Sequence, residues 1–327
     1  MKRQVFRSLM RVKFRQPVLG LGIALGIHVL QSNAAEPTCM TLPISDPQGA
    51  GDRAYIDKPG RYCLRHDMLA IKVFDVHAFS YKAFSGEGLI SITHPFDSKA
   101  NYPRGKDSYV IDLQGHRLVA EAHSMVGIEN RSGGVGVTVR NGFIEVPGHT
   151  EANRGMTLRA DSTPLDLEER QCPIGVLKCE DIPSSQTIDR RSPIYGETDY
   201  VIEKMVIRAG WRGVDLGGRN NVLRDNVIEV EGRVAVFQFG PGAVIENNTF
   251  IVRGKGDRTA FDAALKLRDA HGAIVRNNTF IFEGGFFTSA PAAINLLDSK
   301  DVLIEGNTFK GFEQKVRVNG DSTYTLK

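Results

Sequence analysis

One short line of sequence occurs six times in this chain, and its spacing restricts the fold more than any other feature. The clearest copies are residues 244–250, 274–280 and 303–309, and weaker copies begin at residues 138, 201 and 222. From residue 201 onward, equivalent positions lie 21 to 30 residues apart. A period of this length, repeated with insertions, is typical of structural units that stack on one another.

Each unit contains two short alternating strands around a polar corner, and it lacks the apolar spacing of a helix. Helical repeats, leucine-rich repeats and propeller blades each require a different pattern or a longer unit. The pattern therefore predicts a parallel β-helix, whose coils lie about 4.8 Å apart so that equivalent residues stack in columns. We expect one column to form a ladder of hydrogen-bonded amides. Its members are Asn226, Asn248, Asn278 and Asn307.

In these repeats the chain resembles the right-handed parallel β-helix repeat proteins of the pectate-lyase-like superfamily. The resemblance covers about residues 110–312. It implies an all-β fold, a right-handed single-stranded parallel β-helix (solenoid) with an N-terminal cap region. The catalytic signatures of polygalacturonases, pectate lyases and alginate epimerases are absent from the sequence. The resemblance therefore indicates a fold and transfers no catalytic residue.

The first 34 residues have the composition of a secretory signal peptide. Six basic residues precede an apolar run at 18–30, and short side chains follow at 32–34. The alternative is an uncleaved membrane anchor, but a bilayer span needs about 20 apolar residues. We therefore expect a periplasmic or secreted protein whose mature chain has no membrane span.

Removal of the signal peptide changes the sign of the net charge. Six of the 41 basic residues lie in residues 1–34, whereas all 38 acidic residues follow them, so 35 basic residues remain and the net charge becomes −3. This balance argues against a nucleic-acid partner.

The mature chain is predicted to form one solenoid domain and to be a monomer. Residues 35–109 are assigned to an N-terminal cap with lead-in strands, and residues 110–327 to the β-helix. A charged loop at 160–199 interrupts the β-helix, and long ordered loops are commonly functional.

Four cysteines in an exported chain favour two disulfides over a metal site. Three pairings are possible. We expect the local pairing, in which Cys39 joins Cys63 and Cys172 joins Cys179.

A further strand in each coil carries the candidate site. Alternation places its apolar residues inward and one polar column outward. The predicted outward column consists of Thr157, Asp215, Gln238, Lys266 and Asn295, flanked by Arg159 and Arg268. Polar side chains of both charges on parallel strands suit a polysaccharide groove. The expected substrate-binding residues are Arg159, Gln238, Asn295 and Trp211.

If the site is catalytic, β-elimination on a uronate polymer fits its composition. Lys266 is the candidate base, because desolvation or a neighbouring arginine makes a lysine easier to deprotonate. Arg268 or Arg159 would stabilise the charge that develops on the sugar carboxylate. Asp215, with Asp262 or Asp257, could hold Ca²⁺, the one cofactor that the residues suggest.

Two other interpretations remain open. Asp215 and Asp262 could instead act as the acid and base of a glycoside hydrolase. The outward column could also be an ordinary solvated surface, in which case the chain is a non-catalytic carbohydrate-binding or cell-envelope structural protein. The fold does not decide among them, because function depends on the site.

Overall fold

The structure is a computed structural model that describes residues 39–45, 52–70, 88–92, 108–120, 126–130, 135–148, 154–158, 197–232, 234–253, 263–284 and 291–327. Within these ranges it contains strands and turns but no helix. The predicted signal peptide and most of the predicted 160–199 loop lie outside the described residues.

Sheet A has sixteen strands in two limbs that meet at the Asn corner. Its first limb contains β1 (Met40–Thr41), β4 (Gly60–Cys63), β7 (Tyr109–Asp112), β10 (Val137–Val146), β12 (Val201–Ala209), β14 (Val222–Arg224), β17 (Val244–Glu246), β20 (Ile274–Arg276), β23 (Val302–Glu305) and β26 (Tyr324–Leu326). Its second limb contains β5 (Met68–Ala70), β8 (Arg117–Ala120), β15 (Val227–Val230), β18 (Thr249–Val252), β21 (Thr279–Phe282) and β24 (Thr308–Lys310). The long strands β10 and β12 pass through the corner and belong to both limbs.

Sheet B has ten strands, one from each successive coil. They are β2 (Ile44–Ser45), β3 (Arg53–Ile56), β6 (Gly88–Ile92), β9 (Val126–Asn130), β11 (Arg154–Leu158), β13 (Arg212–Gly217), β16 (Val234–Phe239), β19 (Ala263–Arg268), β22 (Ala292–Leu297) and β25 (Gln314–Asn319). Pairing is parallel throughout the described strands except between β2 and β3. The chain alternates between the two sheets, which confirms the predicted parallel β-helix.

The sheets begin before residue 110, where the β-helix was predicted to start. Strand β4 pairs in parallel with β7, and β6 pairs in parallel with β9. Part of the segment assigned to an N-terminal cap therefore has the pairing of ordinary coils. Residues 38–327 form one compact unit.

The polar corner uses two adjacent residues of each repeat for different purposes. The first has a positive φ, as at Asn247 (57°) and Asn277 (56°), a conformation that asparagine tolerates better than most residues. The second forms the predicted amide ladder: Asn248 Nδ2 donates to Asn278 Oδ1 at 3.0 Å, and the same contact joins Asn226 to Asn248 at 2.9 Å and Asn278 to Asn307 at 3.0 Å. The ladder prediction is confirmed.

The apolar columns of the two sheets face one another and form a continuous core. Beside the corner, Phe280 stacks between Phe250 and Phe309, with ring centroids 5.0 and 5.2 Å apart. Because aromatic side chains bury large apolar areas, this column contributes strongly to coil stacking.

One of the two predicted disulfides lies within the described residues. Cys39 and Cys63 are bonded, with their Cα atoms 5.7 Å apart, as predicted. Cys172 and Cys179 lie outside the described residues, so their pairing stays a prediction.

Candidate functional site

The register of sheet B defines one outward-facing column of side chains, which we name the outer column. It consists of Ser91, Glu129, Thr157, Asp215, Phe237, Lys266, Asn295 and Arg317. The residues on either side of Asp215, Lys266 and Asn295, such as Leu265 and Leu267, lie in the core. Four of the five predicted members, all except Gln238, therefore occupy the same face of sheet B.

Gln238 was predicted to face outward, and this placement was wrong. Its register partners are Leu216 and Leu267, which lie in the core. Its side-chain Nε2 donates to the backbone carbonyls of Gly218, Phe239 and Gly240 at 3.1 to 3.2 Å, and its Oε1 accepts from Asn221 at 3.1 Å. Gln238 thus fixes the turn after β16 from inside the solenoid and does not line an outer groove.

From Ser91 to Asn295 the outer column is buried, whereas the charged columns of sheet A are exposed. Asp215 and Asn295 are 0% exposed and Lys266 is 1% exposed. By contrast, Arg224 and Arg276 of sheet A pair with Glu203 and Glu246, and their side chains remain 45% and 43% exposed. Burying a charge is costly unless the charge is compensated. The outer column is therefore not the ordinary solvated surface that was one interpretation of the sequence.

Asp215 is held between two arginines. Arg154 Nη1 lies 2.9 Å from Asp215 Oδ2, and Arg212 Nη1 lies 3.4 Å from Oδ1. Arg154 projects from the neighbouring strand, so the contacts tie β11 to β13. Each carboxylate oxygen of Asp215 therefore contacts one guanidinium group, so Asp215 positions Arg154 and Arg212.

Phe237 occupies the outer column between Asp215 and Lys266. Its ring centroid lies 5.6 Å from the Arg212 guanidinium carbon and 5.2 Å from Lys266 Nζ. Phe237 also packs edge-on against Phe239 at 4.9 Å, and with Val234 these rings form a small apolar cluster separate from the main core. A desolvated cation beside an aromatic face is stabilised by about 2 kcal/mol. The space between Asp215 and Lys266 on the outer face is thus filled by Phe237.

Arg268 and Asn295 extend the polar surface toward the C-terminal coils. Arg268 lies two residues after Lys266 on β19 and is 2% exposed. Its Nε lies 3.7 Å from Asp269 Oδ2. Asn295 Oδ1 accepts a hydrogen bond from Asn319 Nδ2 at 2.6 Å. Lys266 and Arg268 therefore present two buried cations on the same face of one strand.

Of the other predicted site residues, the structure describes only Trp211. Trp211 is 6% exposed and lies at the turn between β12 and β13, directly before Arg212. Arg159 and Asp262 lie outside the described residues, so their proposed contacts stay predictions.

The donors around Asp215 do not suit the Ca²⁺ ion that the sequence suggested. Hard cations require several oxygen ligands, whereas Asp215 faces two guanidinium groups. In the part of the chain that the structure describes, no cluster of three or more His, Cys, Asp or Glu side chains could hold a metal ion. We derive no step that involves Ca²⁺.

Sequence reasoning missed Arg154, Arg212 and Phe237. The missed signal is a turn residue with a positive φ directly after a strand. It is Gly218 after β13, Gly240 after β16, Asp269 after β19 and Asp298 after β22. Counting back three residues from each of these gives Asp215, Phe237, Lys266 and Asn295, the observed column. Choosing the polar residue of each strand instead placed Gln238 in the column, one residue after the observed member, Phe237.

No protein-family model matches the chain, and neither does any curated protein. Among solved structures, one similar chain is the A-module of the mannuronan C-5 epimerase AlgE6 from Azotobacter vinelandii. It is 10% identical, with 83% of each chain covered and a TM-score of 0.28. This similarity is too low to support any statement about substrate or site residues. Separately, none of the described segments contains a helix long and apolar enough to cross a membrane.

Proposed function

We propose that this chain is an exported protein that binds an acidic polysaccharide along the outer face of sheet B. The observation that carries the proposal is the burial of cations on that face: Arg212, Lys266 and Arg268 are each at most 2% exposed. Cations removed from water attract a carboxylate more strongly than solvated ones do. Solvent-facing charges that serve only solubility, such as Arg224 and Arg276, have no need of such burial.

The charge balance of this face favours an anionic ligand. Among the described residues, five cations lie on the outer face of sheet B against three carboxylates, Glu129, Asp215 and the turn residue Asp269 beside Arg268. The cations are Arg154, Arg212, Lys266, Arg268 and Arg317. Because Arg212, Lys266 and Arg268 are closed to solvent, binding of a polymer must be accompanied by their exposure.

The finer proposal is cleavage of a uronate polymer by β-elimination. Lys266 in its neutral form would accept the C5 proton of a uronate, and Arg268 would bind the carboxylate that carries the developing charge. The C4–O bond would then break to leave a C4=C5 double bond, and the departing oxygen would take a proton. Asp215 would position Arg154 and Arg212, without acting as acid, base or metal ligand.

The test is incubation of the purified chain with a panel of acidic and neutral polysaccharides. Chain length and the ultraviolet absorbance of an unsaturated product are measured together. We expect shortening and unsaturation with an acidic polymer only, and loss of both in Lys266→Ala. Arg276→Gln, a change of an exposed arginine on the adjacent β20, is the matched control and should have no effect. Shortening without unsaturation would contradict elimination.

A second candidate function is binding without catalysis. The contacts of Asp215 with two arginines and of Lys266 with Phe237 favour it, because these groups are held in place by protein neighbours. If an acidic polymer binds saturably and is not shortened, the function is binding without catalysis. Binding of neutral polymers alone would contradict both candidates.

A further inference from the structure

A cleft of about 430 Å³ opens on the outside of the second limb of sheet A. Four of its lining residues, Val119, Glu145, Arg208 and Glu229, belong to one outward column on β8, β10, β12 and β15. At the usual strand spacing, four neighbouring strands extend over roughly 14 Å. The cleft shares no residue with the outer column, and its volume lies in the range of small-ligand sites.

The floor of the cleft is apolar and low. Pro147 and the backbone of Gly148 and Gly210 form it, and the side chains of Val146 and Ala209 are packed in the core beneath. A Cβ atom at residue 210 would lie only 1.5 Å from the carbonyl oxygen of Gly148, so only glycine allows this approach of the two coils.

The rim of the cleft is charged, and its three carboxylates, Glu145, Glu229 and Glu231, are balanced by three arginines, Arg117, Arg208 and Arg253. Glu145 pairs with Arg117 at 2.5 Å and with Arg208 at 3.3 Å. Arg208 also lies 3.5 Å from Glu229, which pairs with Arg253 at 2.6 Å. An added anion would face these carboxylates, and an added cation would have to displace an arginine. The rim therefore favours an uncharged ligand.

Such a rim can still form many hydrogen bonds. A carboxylate offers about four acceptor sites and a guanidinium five donors, more than one or two ion pairs use. The hydroxyl groups of a ligand can donate hydrogen bonds to the carboxylates and accept hydrogen bonds from the guanidinium groups. An apolar floor beneath such a rim suits the C–H face of a sugar ring, whose edge carries the hydroxyls.

We infer that this cleft is a second binding site, for an uncharged saccharide of about two rings. The saccharide lies with its ring faces on Pro147 and the glycine backbone beside it, and its hydroxyls contact Glu145, Arg208 and Glu229. This site is independent of the proposed acidic-polymer site, because it rests on different strands and on a different charge balance.

The test is calorimetric titration of the purified chain with uncharged disaccharides of glucose, galactose and mannose, in both α and β linkages. Digalacturonate serves as the charged counterpart. Val119→Phe fills the cleft from a half-exposed position, and Arg208→Gln removes the central donor. Ile281→Phe is the matched control, because Ile281 stands in the same outward column beyond the cleft.

We expect at least one uncharged disaccharide to bind at one site per chain. Binding should be about tenfold weaker in both cleft variants and unchanged in Ile281→Phe. Two results overturn the inference. One is that no uncharged disaccharide binds the folded chain, and the other is that binding is unchanged by Val119→Phe. Neither result bears on acidic-polymer binding, which is measured separately with Arg268→Gln.

Discussion

Lys266 Nζ lies 5.2 Å from the centroid of the Phe237 ring, its neighbour on the preceding strand of the outer column. The same ring lies 5.6 Å from the Arg212 guanidinium carbon. One aromatic side chain therefore contacts two buried cations and separates Lys266 from Asp215. Phe237 is in this sense the centre of the candidate site, although its residue type suggests a core position.

Replacement of Phe237 by leucine should weaken acidic-polymer binding. Leucine fills most of the space but has no π face, so Phe237→Leu loses the cation contacts and part of the packing, about 2 kcal/mol of stability. Phe250→Leu in the main core is the control, because it should lose comparable stability and leave binding intact. Binding is measured at a temperature where both variants are folded. Equal affinities for the two variants would contradict a role for Phe237 in the site.

The amide ladder should make a large contribution to stability for a single side chain. Asn248 forms four side-chain hydrogen bonds, to Asn226, Asn278 and the carbonyl of Leu223. Asn248→Ala should lower the free energy of unfolding by about 2–6 kcal/mol, since each of the four buried bonds contributes about 0.5–1.5 kcal/mol. The adjacent Asn247→Gly should be nearly neutral, because glycine accepts the positive φ at that position. Urea unfolding measures the stability of both variants. Similar losses of stability would show that the two asparagines do not have the different structural roles described above.

Stability should fall at acid pH partly through Asp112. Burial raises the pKa of Asp112, but hydrogen bonds from Asn141, the Gln114 backbone and Arg140 outweigh it and hold the pKa below its ordinary value of 3.8. A carboxyl with a lowered folded pKa stabilises the protein above pH 3.8, and this stabilisation is lost as the pH falls below that value. Asp112→Asn should therefore be less stable than the natural chain at neutral pH.

Urea titrations at neutral pH and near pH 3 check this prediction. The stability difference between the natural chain and Asp112→Asn should shrink at the lower pH. A difference that is the same at both pH values would show that the lost interactions do not depend on the ionised carboxylate.

The disulfide between Cys39 and Cys63 should stabilise the first coils. It closes a loop with a sequence separation of 24 residues. For loops of this size the expected contribution is about 3 kcal/mol, because the crosslink restricts the unfolded chain. Cys39→Ser should lower the unfolding midpoint by a corresponding amount under oxidising conditions. If the midpoint is unchanged, the bond contributes nothing to the stability of the coils.

The repeats predicted the fold because their chemistry is local. The Asn corner, the alternation around it and the spacing of copies all depend on a few adjacent residues, and the ladder from Asn226 to Asn307 follows directly. The candidate site depends instead on the register between coils. A shift of one residue in one strand exchanged Phe237 with Gln238, because alternation reverses the face of every side chain when a strand is misaligned by one.

Burial of the site was beyond the reach of the sequence for a related reason. Lys266 has the residue type of a solvated surface position, and only the assembled structure shows it at 1% exposure. The pairing of Arg154 with Asp215 likewise joins residues of different coils that the 160–199 insertion separates in the sequence. Neither the burial of Lys266 nor the pairing of Arg154 with Asp215 is indicated by the residues adjacent in the sequence.

The most direct test compares two arginines in their effect on the binding of polygalacturonate to the purified chain. Arg268 on β19 is buried on the outer face of sheet B, and Arg276 on the next strand is exposed on sheet A. Both changes, Arg268→Gln and Arg276→Gln, remove one positive charge, so long-range electrostatics change equally. We expect the calorimetric affinity to fall about tenfold or more in Arg268→Gln and to stay constant in Arg276→Gln. Equal affinities for the two folded variants would contradict the placement of an acidic-polymer site on sheet B.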